Sequence, residues 1–173
     1  VSTPTIKVTI DQREVEARPG ETVLQVARRN GIYIPRFCYH DKLSIAGSCR
    51  ICLVKVNNLP KLQPACNLAV APNMVVETGV EQVQKAREDV LQFILLNHPV
   101  DCGICDKAGE CTLQDYHYEM NGLPSVSTVP KVQATKYFEL SSRIVLDNER
   151  CIVCSRCVRF TREISKSHAL GIQ

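Results

Sequence analysis

The chain of 173 residues contains no tryptophan, and five tyrosines with four phenylalanines bring aromatic residues to only 5%. That scarcity excludes a platform of stacking aromatic side chains for single-stranded nucleic acid. A dominant charge sign is also missing: 21 Lys and Arg against 18 Asp and Glu leave a net charge of +3. Basic residues gather only around "RCIVCSRCVRFTREISK", which reads as a solvated face, so no nucleic-acid partner is expected. No apolar run approaches the ~20 residues that a bilayer-crossing helix needs. The longest is "VLQFILL", and the chain is expected to be soluble by itself. Its start, "VSTPTIKVTID", has neither the basic–apolar–small pattern of a secretory signal nor the Arg- and Ser-rich look of a transit peptide. There is no G-x-G-x-x-G after a strand and no Walker loop, so no nucleotide site is expected. No nucleophile–base pair stands out, so no catalytic residue is assigned; His40 and His117 are read as surface or structural. No small-molecule substrate is expected to bind directly.

Cysteine, in contrast, is plentiful. Ten stand in a composition that is otherwise globular, with 45% apolar and 23% charged residues. Disulfides are the weaker explanation, because the cysteines recur as C-x2-C pairs, poorly spaced to bridge each other and well spaced to grip one metal centre. They divide into Cys38, Cys49, Cys52 and Cys66; Cys102, Cys105 and Cys111; and Cys151, Cys154 and Cys157.

A pass along the chain places these groups. "TIKVTID" alternates Ile6, Val8 and Ile10 with polar residues, and "REVEAR" follows an Asp11-Gln12 turn, which predicts a β-hairpin. In "ETVLQVARRNG", Thr22 and Gln25 form a capping-box pattern and Gly31 a C-cap, predicting a helix that buries Val23, Leu24, Val26 and Ala27. Strands are expected at "ICLVKVN" and "MVVET", with a turn at Asn57-Asn58. Residues 1–78 therefore read as a small mixed sheet packed on a helix.

From Thr78 the pattern turns helical. Thr78 and Glu81 again fit a capping box, and Val80, Val83, Val90, Leu91, Ile94 and Leu95 share one face. This helix should end by Asn97 or His98, since the residue before Pro99 disfavours the α region. A shorter helix is expected over "CTLQDYHYEMNG", then a linker from Leu123 to about Lys136, a strand at "RIVLD" and a helix at "SRCVRFTREIS".

The first cysteine group, C-x10-C-x2-C-x13-C, is how a 2Fe-2S cluster is held, two thiolates per iron with backbone N–H groups turned toward sulfur. Ala46, Gly47 and Ser48 let the backbone come close, and Gly47 tolerates positive φ. The spacing departs from the C-x4-C-x2-C of plant-type ferredoxins, and a four-cysteine zinc site is the alternative. His40, two residues from Cys38, is a candidate for tuning this centre. The second group has only three cysteines. His98, four residues before Cys102, offers a fourth ligand, and H-x3-C-x2-C-x5-C fits either a Cys3His zinc site or a 4Fe-4S cubane with one imidazole. The third, C-x2-C-x2-C, opens the ferredoxin run C-x2-C-x2-C-x3-C-P, but Thr161 stands where its fourth cysteine would be. The last ligand is then His168, a carboxylate such as Glu163, or a residue beyond this chain, unless a 3Fe-4S cluster forms. Arg150, Arg156, Arg159 and Arg162 surround this triple, as an anionic cubane would favour.

Three segments carry a family resemblance: "IPRFCYHDKLSIAGSCRICLVKV", "LLNHPVDCGICDKAGECTLQD" and "RCIVCSRCVRF". In this order the chain resembles the N-terminal iron–sulfur region of the G (75-kDa) subunit of NADH:quinone oxidoreductase, respiratory complex I. The resemblance implies an α+β fold: a ferredoxin-like β-grasp domain over 1–78, followed by a small, mostly helical and loop iron–sulfur domain. The latter would comprise a 4Fe-4S domain over 79–122 and, over 123–173, a linker and the start of a second 4Fe-4S domain. It implies one 2Fe-2S cluster on Cys38, Cys49, Cys52 and Cys66, a 4Fe-4S cluster on His98, Cys102, Cys105 and Cys111, and a second on Cys151, Cys154 and Cys157. The fourth ligand of that last cluster is a distant cysteine in the family and is expected beyond this chain. The implied function is electron relay within that oxidoreductase, from an NADH/flavin site toward quinone. The implied partners are the flavin/NADH-binding subunit and other peripheral-arm subunits. The implied location is the cytoplasmic side of the inner cell membrane, or the matrix side of the mitochondrial one, with membrane association only through the complex. The same module resembles parts of NAD-linked hydrogenases and NAD-dependent formate dehydrogenases. A zinc-stabilised interaction domain without redox function is the alternative from another class.

Overall fold

The computed structural model describes residues 5–57, 59–120, 122 and 125–172. The chain divides into two compact units, one of Val1–Arg87 with Ser155–Gln173 and one of Glu88–Cys154.

The first unit is built on the expected hairpin. Strands β1 (Ile6–Ile10) and β2 (Arg13–Ala17) pair antiparallel, with Val8 opposite Val15. Their two-residue turn holds Asp11 at φ 47° and Gln12 at φ 66°, the left-handed pair whose twist matches a tight hairpin. Helix α1 (Val23–Arg29) follows, and both halves of the Thr22–Gln25 capping box form. At its other end Gly31, at φ 70°, donates to the Arg28 carbonyl while Ile32 donates to that of Ala27, the paired bonds of a Schellman stop. Three further strands complete the sheet: β3 (Leu53–Val56), β4 (Gln63–Pro64) and β5 (Val75–Glu77).

The sheet order is β2-β1-β5-β3-β4. Strand β5 runs parallel to β1, with Ile10 opposite Val76, and the other pairs are antiparallel. Parallel neighbours require a long crossover, and α1 lies within it. The helix buries Val23, Leu24, Val26 and Ala27, the four expected residues, in one core with Val8, Ile10, Ala17, Val54 and Val76. A mixed sheet wrapped on one helix is the β-grasp arrangement.

The strand expectations need one correction. Between β3 and β5 the chain first makes β4, a two-residue strand too short to leave a period-2 signature, so β3 and β5 are not joined by a tight turn. Of the expected Asn57-Asn58 turn, Asn58 lies outside the described residues. Helix α2 (Glu81–Leu95) buries Val83, Leu91 and Leu95 from the expected face, while Val80, Val90 and Ile94 are only half-buried. The anticipated Thr78 cap does not start it. The Thr78 hydroxyl and amide instead both donate to the Asp11 carboxylate, and the first turn closes on the Val80 carbonyl.

In the second unit a 3-10 turn at Cys102–Ile104 and helix α3 (Thr112–Met120) follow α2. The segment beyond α3 runs back along the end of α2: the Val126 amide donates to Gln92, the Val132 amide to Asn97, and the Lys131 ammonium to the Leu95 and Leu96 carbonyls. A cation on those last carbonyls satisfies groups that a helix end leaves open. Of the expected linker, Leu123 and Pro124 lie outside the described residues. The "RIVLD" strand is real as β7 (Ile144–Leu146), and it pairs with an unanticipated β6 (Phe138–Ser141) in an exposed hairpin. Helix α4 (Arg156–Glu163) belongs to the first unit. Among the described residues no helix is long and apolar enough to cross a membrane.

Candidate metal centres

Cys38 lies on the segment after α1, Cys49 and Cys52 on the loop entering β3, and Cys66 just past β4. The sheet brings all four together. The Cys38 thiol shares hydrogen bonds with those of Cys49 and Cys66, and Cys66 in turn with Cys52. Cys38, Cys52 and Cys66 are buried and Cys49 is partly exposed. Backbone amides of Ser48 and Cys49 point at the Cys38 sulfur, and the Cys38 amide donates to Cys49 Sγ at 3.5 Å. Hydrogen bonds from the neighbouring thiols hold the Cys38 pKa far below its ordinary value, and the Cys66 thiol brings Cys52 down to about 7. Cys49 and Cys66 are pushed up, chiefly because each shares its hydrogen bond with Cys38. Four converging sulfurs, with backbone amides turned toward Cys38, fit the donor set of a 2Fe-2S cluster.

The loop geometry serves this convergence. Gly47 takes φ 62°, as anticipated, and Arg50 takes φ 59°, a left-handed conformation for which a non-glycine residue carries strain. His40 is exposed, and its Nδ1 accepts the Lys42 amide at 3.2 Å in a local turn.

In the second unit, His98 sits at the helix-to-loop handover, its amide donating to the Ile94 carbonyl at 3.3 Å. Among the described residues its Nδ1 is buried with no hydrogen-bond partner, and burial lowers the imidazole pKa, favouring the neutral form that binds metal. A cavity of about 330 Å³ is lined by His98, Cys102, Cys111, His117, Leu95 and Leu113, among others. Cys105 is not in that lining; it closes the 3-10 turn, its amide donating to the Cys102 carbonyl at 3.3 Å. His117, read from sequence as surface or structural, lines this cavity, and its Nδ1 too is buried and has no hydrogen-bond partner among the described residues. Its place six residues after Cys111, on α3, was the only available signal. An ion-pair network encloses the loop: Asp101 pairs with Lys136 at 2.9 Å and Arg150 at 3.5 Å, and Arg150 also reaches Asp106 and Asp147.

Cys151 and His98 both line a second cavity of about 410 Å³. The unit boundary falls inside the third triple, with Cys151 and Cys154 in the second unit and Cys157 in the first turn of α4. Two candidates for its fourth ligand lie on or just after α4. Glu163 is committed to Ser44, accepting from its amide at 2.7 Å and its hydroxyl at 2.5 Å, and these bonds hold its pKa down to about 2. His168 is exposed in a left-handed conformation, with its amide on the Thr161 carbonyl. Arg159, placed by sequence beside its own triple, is 4% exposed and donates to Ser155 Oγ and to the carbonyls of Ser44 and Cys38. Among the described residues, no three His, Cys, Asp or Glu side chains are arranged around a single ion.

The β-grasp sheet and its four converging thiols are the frame of a small cysteine-ligated metal-cluster domain. Comparison with known proteins carries this further. A 2Fe-2S iron-sulfur cluster binding domain matches residues 3–81, the NADH-ubiquinone oxidoreductase-G iron-sulfur binding region residues 87–122, and the NADH-quinone oxidoreductase subunit 3 ferredoxin-like domain residues 141–173. Over 96% of the chain, identity is 46% to a G-type NADH-quinone oxidoreductase subunit of Rhizobium meliloti and 42% to the mitochondrial NADH-ubiquinone oxidoreductase 78 kDa subunit of Neurospora crassa. A chain from a crystal structure of an H2-reduced NAD+-reducing [NiFe]-hydrogenase superposes with a TM-score of 0.85 at 30% identity, covering 97% of this chain and 70% of that one. The chain belongs to the iron–sulfur family of the NADH:quinone oxidoreductase G (75/78-kDa) subunit and carries its 2Fe-2S and 4Fe-4S binding regions. It spans 20% and 22% of the length of those two curated relatives.

Proposed function

We propose that this chain relays single electrons within an NADH:quinone oxidoreductase, from an NADH/flavin site toward quinone. Cys38, Cys49, Cys52 and Cys66 hold the 2Fe-2S cluster; His98, Cys102, Cys105 and Cys111 hold a 4Fe-4S cluster; Cys151, Cys154 and Cys157 supply three ligands to another. The cluster-bearing segments are 1–78, 79–122 and 123–173. The clusters, when bound, supply one-electron redox centres. The chain's own residues bury Cys38, Cys52 and Cys66, turn the Ser48 and Cys49 amides toward Cys38, and present a neutral His98 imidazole. Partners are the flavin-bearing and other peripheral-arm subunits, on the cytoplasmic or matrix side of an energy-transducing membrane.

The observation that carries this reading is the convergence of four thiols from three separate segments into one hydrogen-bonded set. Likeness to the hydrogenase chain favours a second reading, the same relay serving an NAD-linked hydrogenase. Anaerobic purification followed by iron and sulfide analysis and electron paramagnetic resonance tests the relay. We expect a brown protein with distinct 2Fe-2S and 4Fe-4S signals on reduction; a folded, colourless, zinc-loaded protein would overturn it.

A further inference from the structure

Arg159 and Glu163 lie one turn apart on α4, yet their polar contacts run to a loop more than a hundred residues earlier. The Arg159 guanidinium is 4% exposed and forks onto two backbone carbonyls, those of Cys38 and Ser44, while its Nε reaches Ser155 Oγ at 3.1 Å. Glu163 holds the same loop from the other side of Ser44, accepting both its amide and its hydroxyl. The ends of the stretch from Cys38 to Ser44 are thus tied to one helix, and Cys38 is one of the four converging thiols. A planar guanidinium suits this task because its donors leave in fixed directions and stay charged at all working pH values.

We propose that Arg159 is a positioning residue for the 2Fe-2S site, with Glu163 as its companion, rather than part of the electrostatic surround of the 151–157 cluster. The inference rests on ligation of that cluster by Cys38. The guanidinium stands one peptide carbonyl from a ligating residue, in an environment shielded from water. Reduction adds one negative charge to a centre that is already anionic, so a buried cation nearby favours the reduced form and raises the potential. The clamp also links two motifs: Cys157 opens the helix whose next turn grips Cys38.

The test is a redox titration of the cluster-loaded protein, with each cluster followed by its own paramagnetic signal. Arg159→Gln should lower the 2Fe-2S midpoint by about 59 mV, a tenfold change in a one-electron equilibrium. Arg159→Lys, which keeps the charge but not the fork, should retain most of the potential while altering the g-values. Glu163→Ala should speed hydrogen exchange at the Ser44 amide. A midpoint unchanged in Arg159→Gln, or moved only for the 151–157 cluster, would overturn the proposal while leaving the relay intact. Absence of any 2Fe-2S signal in the unaltered chain would instead sink the relay reading itself. Should Arg159→Gln fail to load clusters, Arg159→Lys decides: unchanged g-values and unchanged loop exchange would refute the clamp.

Discussion

Asp11 and Thr78, 67 residues apart, meet through two hydrogen bonds: the Asp11 carboxylate accepts the Thr78 amide at 2.7 Å and its hydroxyl at 2.5 Å. Asp11 is at the same time the first turn residue of the β1–β2 hairpin, at φ 47°, with its own amide on the Val76 carbonyl. One residue therefore closes the hairpin, ties it to the end of β5 and fixes the approach to α2. Asp11→Gly should keep the backbone conformation and lose the carboxylate bonds, at a cost of about 1 kcal/mol. Asp11→Ala adds left-handed strain and should cost about 2–3 kcal/mol in all. Asp11→Asn, which tolerates the turn and keeps an acceptor, should be the mildest. Denaturant unfolding of the three variants checks this order, and equal losses for Gly and Ala would remove the turn from the account.

Replacing His98 by cysteine tests the imidazole assignment. The exchange puts a thiolate where a neutral ligand stood, adding negative charge to the centre and lowering its potential. His98→Cys should keep a 4Fe-4S signal with a lower midpoint. An unchanged midpoint would take His98 off the ligand set and leave its unpartnered, buried Nδ1 without a purpose.

Loss of one first-site thiol separates ligation from folding. Cys52 is 1% exposed and sits in the sheet's own core beside Val54 and Ala65. Cys52→Ala should abolish the 2Fe-2S signal and leave the 4Fe-4S signals in place, while the smaller side chain weakens the first unit. Because cluster binding and folding are coupled in such sites, loss of all signals together would show that this thiol acts through the fold.

The local features were legible in the sequence because each depends on residues close in the chain. Alternation of Ile6, Val8 and Ile10 marks β1, and Thr22 with Gln25 marks the start of α1. The C-x2-C pairs likewise announce metal chemistry at fixed offsets. What stayed hidden depends on distant partners. Thr78 carries a sound capping pattern, but Asp11 reaches it first. Glu163 and Arg159 look like neighbours of the last cysteine triple, and only the docking of α4 on the 38–44 loop redirects them. The parallel pairing of β1 with β5 leaves no mark in either strand, and β4 is too short to show one.

Asp101 offers a test of what holds the second cysteine set in place. It accepts Lys136 and Arg150 immediately before Cys102, and Lys136 also pairs with Glu149 at 3.3 Å. Hydrogen bonding from Lys136 lowers the Asp101 pKa, so its stabilising charge is fully present above the ordinary carboxylate range and is lost only as pH falls through the lowered value. Near neutral pH the network is therefore intact, and salt rather than acid is the practical probe, since added ions weaken the solvent-accessible part of such a network once the screening length falls well below the ~8 Å of physiological ionic strength. Asp101→Asn removes the hub without changing its volume. We expect faster loss of the 4Fe-4S signal to a chelator in this variant, and a smaller acceleration by added salt than in the unaltered chain, because part of what salt screens is already gone. Equal salt sensitivity in both would show that the network does not hold the loop.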